Sequence, residues 1–143
     1  MHTFIGTKII KARPLNRGDH NKYRGWTIPA NEDPDEPGYL VVYPDGYESW
    51  TPKPQFDEAY LPLGDMPDQP AWLVRLFGER AQLQDKLDKL TMFLLGGSEA
   101  ILAMNVDELA DLTMQHRAML DYQKILNRRI ERAITGSTNP KKG

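Results

Sequence analysis

Eight aromatic residues crowd one short stretch of the chain: Tyr23, Trp26, Tyr39, Tyr43, Tyr47, Trp50, Phe56 and Tyr60. Aromatic faces stack on nucleobases for roughly 1–3 kcal/mol each. Arg24 stands beside Trp26, and Lys53 follows Trp50 closely. Both cations suit the oxygens of a phosphate group. A small β domain also needs bulky side chains to fill itself, so each aromatic reads equally well as core. Taken as a binding set, the candidates are Tyr23, Arg24, Trp26, Tyr43, Tyr47, Trp50 and Lys53. The carboxylates of Asp45, Glu48 and Glu58 are the groups available for acid–base work.

Other chemistries are missing from the pattern. Cysteine is absent, so thiol nucleophiles and Cys-based zinc sites are excluded. His2, His20 and His116 lie far apart, without metal-ligand spacing. The run Glu32-Asp33-Pro34-Asp35-Glu36 lacks the ordered ligand spacing of an EF-hand and reads as a solvated loop. Gly96-Gly97 is followed by no Lys-Ser/Thr pair, so it is a helix stop and not a phosphate loop. No serine or threonine sits on a nucleophile elbow. The residues assign no catalytic group, no metal and no cofactor.

The net charge is −2. Residues 1–66 carry 7 basic and 10 acidic side chains, and residues 67–143 carry 11 and 10. Neither half has the positive excess that a nucleic-acid backbone demands. The Arg128, Arg129 and Arg132 cluster reads as the basic end of a helix, matched to its dipole. No apolar run reaches the roughly 20 residues of a membrane span. The first residues lack the basic start and apolar core of a signal peptide. The lack of cysteine suits a reducing compartment.

The elements that must position the aromatics form an N-terminal, β-rich module over residues 1–66. Residues 3–13 are rich in β-branched side chains and predict a first strand, ended by Pro14. A polar loop is expected through Asn21, and an exposed acidic loop over residues 29–38. Tyr39 to Tyr43 predicts a strand, Pro44-Asp45-Gly46 a turn and Tyr47 to Trp50 the returning strand. If Leu40 and Val42 face the core, Tyr39 and Tyr43 face water or an interface. Thr51 reads as the N-cap of a short helix with Pro52 at its first position, running to about Tyr60.

Pro62, Gly64, Pro67 and Pro70 mark a boundary, and the periodicity then becomes helical. Leu76, Leu83, Leu87, Leu90 and Leu94 make one stripe, and Leu109, Leu112, Met119, Leu126, Ile130 and Ala133 another. Asn105 caps the second helix, with Glu108 placed to complete a capping box. His116 falls in that stripe and reads as a partly buried, hydrogen-bonded residue. The fold class is therefore α+β: a small antiparallel β-rich module, then a long antiparallel helical hairpin over residues 67–135, then a flexible tail over 136–143.

A two-helix hairpin buries one stripe internally, yet Trp72, Phe77, Leu120 and Ile125 lie outside the stripes. This predicts a homodimer or homotetramer built through the hairpin, with Leu76, Leu83, Leu87, Leu90, Leu112, Met119, Leu126 and Ile130 as the oligomerisation set.

The segments Tyr23-Arg24-Gly25-Trp26, Gly38 through Lys53 and Phe56-Asp57-Glu58-Ala59-Tyr60 resemble an N-terminal module common in small bacteriophage proteins. The hairpin resembles a second phage family, related to a helical-hairpin protein of a crAss-like phage. Its matching residues are Leu83, Leu87, Leu90 and Phe93, then Leu112, Gln115, Met119, Tyr122, Leu126 and Ile130. Asp45-Gly46, Trp50 and Glu58-Ala59-Tyr60 stand in the order seen in the sponge proteins by which phages block Thoeris immunity. The Sequestin and Lockin sponges are further families to which the chain is similar. This resemblance implies a non-enzymatic binder of a cyclic ADP-ribose-type signal, held in a pocket between subunits, in the cytoplasm of the infected host. The added hairpin and the different first strand depart from the Thoeris sponge pattern. Two alternatives stay open: a protein–protein inhibitor or adaptor acting through the hairpin, and an enzyme that degrades nucleotide signals through Asp45, Glu48 or Glu58.

Overall fold

The structure, a computed structural model, describes residues 1–66 and 68–136. Two compact units divide the chain, Met1–Leu61 and Pro62–Gly143. The protein is α+β, with a three-stranded antiparallel sheet in the first unit and long helices in the second.

The sheet has strands β1 (Lys11–Pro14), β2 (Gly38–Val42) and β3 (Glu48–Pro52), with β2 in the centre. Lys11 stands opposite Val42, and Leu40 opposite Trp50. The expected strand over 3–13 is cut to its last residues. Phe4 and Ile5 are almost fully exposed and belong to no strand. The five residues of β2 leave nothing for a longer first strand to pair with. The turn is as expected: Gly46 has φ 90°, its N–H donates to the Tyr43 carbonyl, and Tyr43 and Tyr47 are joined across it. Asp45 Oδ1 accepts the Tyr47 N–H.

A helix replaces the expected polar loop. Helix α1 spans Arg17–Arg24, with Asn16 as N-cap accepting the Asp19 N–H at 2.7 Å. It ends in a Schellman arrangement: Gly25 N–H donates to the Lys22 carbonyl and Trp26 N–H to the Asn21 carbonyl. Gly25 supplies the φ of 74° that this ending requires. The acidic loop is also more engaged than expected, since Glu32 and Glu36 both pair with Arg17.

The next helix, α2, spans Lys53–Ala59. Thr51 is not its cap, because Thr51 pairs with Tyr39 in the sheet and Pro52 ends the strand. Tyr39 and Phe56 stack at 3.9 Å, and Phe56 meets Tyr60 at 4.9 Å. Side chains alternate between the faces of a strand. Leu40 and Trp50 thus lie on the α1 face, and Tyr39 and Val41 on the α2 face. Both faces are covered, so Leu40 and Val41 are both buried and Tyr39 and Tyr43 are half-buried. The exposed-tyrosine alternative is thereby corrected.

In the second unit α3 (Ala71–Leu95) and α5 (Val106–Gly136) form the hairpin, joined through a short helix α4 (Glu99–Leu102). Arg80 bonds Asn127 and Thr91 bonds His116. A step forward along α3 is a step backward along α5, so the helices are antiparallel. Leu73, Leu76, Leu83, Leu126 and Ile130 form the core, with Phe77, Met119 and Ala133 packed against it. Asn105 Oδ1 accepts the Asp107 N–H and caps α5. His116 is half-buried with Nε2 at 2.8 Å from Thr91 Oγ1, as its place in the stripe predicts. Gly136 is the last residue of α5, and residues 137–143 of the expected tail lie outside the described residues. Among the described residues, no helix is long and apolar enough to cross a membrane.

Candidate functional site

The first unit carries an open cleft of about 300 Å³ between α1, the acidic loop and the β2–β3 hairpin. Four of the seven candidate ligand residues line it: Arg24, Trp26, Tyr47 and Trp50. The Schellman ending of α1 explains the position of Trp26. The residue after the αL glycine turns back on the last helical turn, and Trp26 meets His20 edge-on at 5.6 Å. Trp50 reaches the same place from β3, where its Nε1–H donates to the Leu15 carbonyl at 2.6 Å. Gly38 makes this possible, since a Cβ there would collide with the Trp50 ring.

The two indoles have different roles. Trp50 is flanked by the Arg17 guanidinium at 5.1 Å and by the stacked His20 ring at 6.3 Å, so its faces are occupied. Trp26 is 57% exposed and Tyr47 63%. These two offer the more exposed aromatic surface of the cleft.

The other three candidates are placed differently. Tyr23 lies beside the cleft and donates its hydroxyl to the Glu48 carboxylate at 2.8 Å. That bond, with the nearby Glu48 charge, pushes the Tyr23 hydroxyl pKa up. Tyr43 belongs to a second aromatic group with Tyr47 and Tyr60. Burial first, then the Tyr43 hydrogen bond, raises the Tyr60 pKa. Lys53 does not join the cleft. Its Nζ pairs with Asp57 at 2.7 Å, which raises its pKa, and it sits over the Tyr39 ring. The Lys53 N–H is taken by the Pro37 carbonyl, so the start of α2 does not offer it to an anion.

Sequence reasoning missed Arg17, His20, Asn21, Glu32 and Ser49 in the cleft wall. The signals for α1 were an Asn cap, two basic residues before a glycine, and a tryptophan directly after it. Arg17 is held by Glu32 at 3.5 Å and Glu36 at 3.3 Å. Arg24 donates to the Glu48 carbonyl at 2.7 Å and lies 5.5 Å from the Trp26 ring. His20 is buried, and burial, followed by the Arg24 charge, lowers its pKa against the opposing pull of Glu48. Of the carboxylates weighed for acid–base chemistry, Glu48 lines the cleft and Asp45 braces the turn.

In the second unit, Leu76, Leu83, Leu87, Leu126 and Ile130 of the expected oligomerisation set are buried within the hairpin itself, and Leu90, Leu112 and Met119 are half-buried. A different α5 stripe remains exposed: Met114, Ala118, Tyr122 and Ile125, at helical spacing. Apolar side chains are also exposed where α3 gives way to α5, at Met92, Leu95, Leu102 and Val106.

Residues 70–132 match the Sequestin family. The match covers α3, α4 and most of α5, whereas the aromatic cleft lies outside it. No curated protein and no solved structure matches the chain.

Proposed function

We propose that the protein is a phage anti-defence sponge that binds a nucleotide immune signal of the cyclic ADP-ribose type and holds it without cleaving it. The match of residues 70–132 to the Sequestin family carries this reading. The cleft of the first unit supports it with a stacking surface at Trp26 and Tyr47 and with Arg24 at its wall. Acting on such a signal places the protein in the cytoplasm of the infected host. The exposed Met114, Ala118, Tyr122 and Ile125 stripe is the surface through which hairpins pair into a homodimer or homotetramer. Light scattering at micromolar concentration should give a mass of two or four chains, and a monomer would remove the assembly part of the proposal.

The function is tested by equilibrium dialysis against a panel of cyclic ADP-ribose isomers, ADP-ribose and cyclic dinucleotides. Bound ligand is released by denaturation and weighed by mass spectrometry. Retained ligand of unchanged mass is expected. Altered ligand would make the protein an enzyme. The same exposed apolar surfaces favour the adaptor reading, in which no nucleotide is retained and the hairpin binds a protein partner.

A further inference from the structure

The cleft is poorly equipped for a diphosphate. Both of its guanidiniums are engaged: Arg17 by two carboxylates and Arg24 by the Glu48 carbonyl. The Glu32 and Glu48 carboxylates also stand in its wall and would repel an anion. Its volume of about 300 Å³ matches a base or a nucleoside better than a whole dinucleotide.

Among the described residues, the buried side-chain polar atom that lacks a partner is a histidine nitrogen. His20 is 6% exposed, lines the cleft, and has a buried Nε2 with no hydrogen-bond partner. A buried ring nitrogen left unpaired is costly, and a small movement of the ring that turns it to the cleft would let a bound group pair with it. The lowered His20 pKa keeps the imidazole neutral near pH 7, able to donate from one nitrogen and accept at the other. Asn21, 7% exposed, adds an amide that is anchored to Glu32 at 3.3 Å. Trp26 supplies an exposed ring next to these groups.

We propose that the cleft takes the purine base of the ligand, stacked on Trp26 and hydrogen-bonded to His20 Nε2, and leaves the diphosphate outside. The proposal rests on the nucleotide-binding reading above and assigns its base-recognition end. Neutral edge-to-edge hydrogen bonds also give discrimination among bases, which charge alone does not.

The test is calorimetric titration of the full chain with adenosine, ADP-ribose and pyrophosphate. Adenosine and ADP-ribose should both bind, and pyrophosphate should not compete with either. His20→Phe keeps the ring volume and removes the nitrogens, and should weaken both ligands about tenfold or more. His20→Gln restores a polar atom near Nε2 and should recover part of the loss. Circular dichroism checks the fold of each variant. If His20→Phe does not fold, the competition between adenosine and pyrophosphate on the parent chain still decides the matter. ADP-ribose binding that pyrophosphate displaces and adenosine does not would overturn the base assignment while leaving the sponge reading intact. Unchanged ADP-ribose affinity in a folded His20→Phe chain would do the same. If no nucleotide of the panel binds the parent, the sponge reading itself falls.

Discussion

The two units are held together by different physics. The hairpin is built on a leucine seam, where Leu76, Leu83, Leu126 and Ile130 are withdrawn from water. Burying each such side chain contributes roughly 1.5–3 kcal/mol, with little directional demand. The first unit has Leu40 and Val41 as its buried apolar pair and depends on directional devices: an Asn cap, a Schellman ending, a glycine turn and an indole hydrogen bond. The lesson is that the hairpin's stability tolerates imprecision, whereas the cleft exists only while several specific contacts hold. Substitutions should therefore act by volume and charge in one unit and by geometry in the other.

The largest effect is expected in the seam. Leu87→Asp buries an unpaired carboxylate at a position only 3% exposed, and should cost more than about 4 kcal/mol. Loss of the helical dichroism signal would report it. A Leu87→Asp chain that keeps full helicity and melting temperature would show that the hairpin does not depend on this seam position.

In the first unit the largest effect should come from Gly38. Gly38→Val pushes a side chain into the Trp50 ring and should cost about 3 kcal/mol, with a shift in tryptophan emission as the indole leaves Leu15. Gly46→Val strains the turn at φ 90° and should cost more than about 1 kcal/mol. Denaturant melts give both values. An unchanged midpoint in either variant would mean that the geometry matters less than claimed.

A smaller effect is expected from pH. The folded pKa of His20 lies below its ordinary value of 6.5. Between those two values the unfolded chain binds more protons, so stability falls as pH drops through 6.5 and levels off below the folded pKa. Above 6.5 His20 adds no dependence. His20→Gln should flatten this part of the pH–stability curve, and an unchanged slope would show that other groups cause it.

The smallest stability effect should come from Arg24→Ala, at less than about 1 kcal/mol, because the guanidinium is exposed. Nucleotide affinity should nevertheless drop, since Arg24 packs on Trp26 and bonds the Glu48 carbonyl. Equal affinity in the variant would remove Arg24 from the site.

The same contrast decides what could be read from the sequence. The leucine stripes, the Asn105 cap and the Gly96-Gly97 stop follow from period and composition alone, and the hairpin appears as expected. The Pro44-Asp45-Gly46 turn was legible because only a few residues satisfy its backbone. Helix α1 was not, because Tyr23 is its one large apolar residue and its buried positions are Gly18, His20 and Asn21. A helix without an apolar stripe gives no periodic signal. Arg17, His20 and Asn21 of the cleft wall were hidden with it. Residues 3–10 misled in the opposite direction, since β-branched residues favour a strand only where a partner strand exists. Lys53 was assigned by its nearness to Trp50 in sequence, but its ammonium group is drawn to Asp57 one helical turn on.

Stoichiometric depletion distinguishes sequestration from turnover. A fixed amount of a retained cyclic ADP-ribose isomer is mixed with increasing amounts of protein, and free and total ligand are followed over hours. Sequestration predicts that free ligand falls at once, to a limit set by the number of sites, while total ligand recovered after denaturation stays constant and chemically unchanged. A continuing loss of total ligand at substoichiometric protein, or no depletion at any ratio, would contradict it.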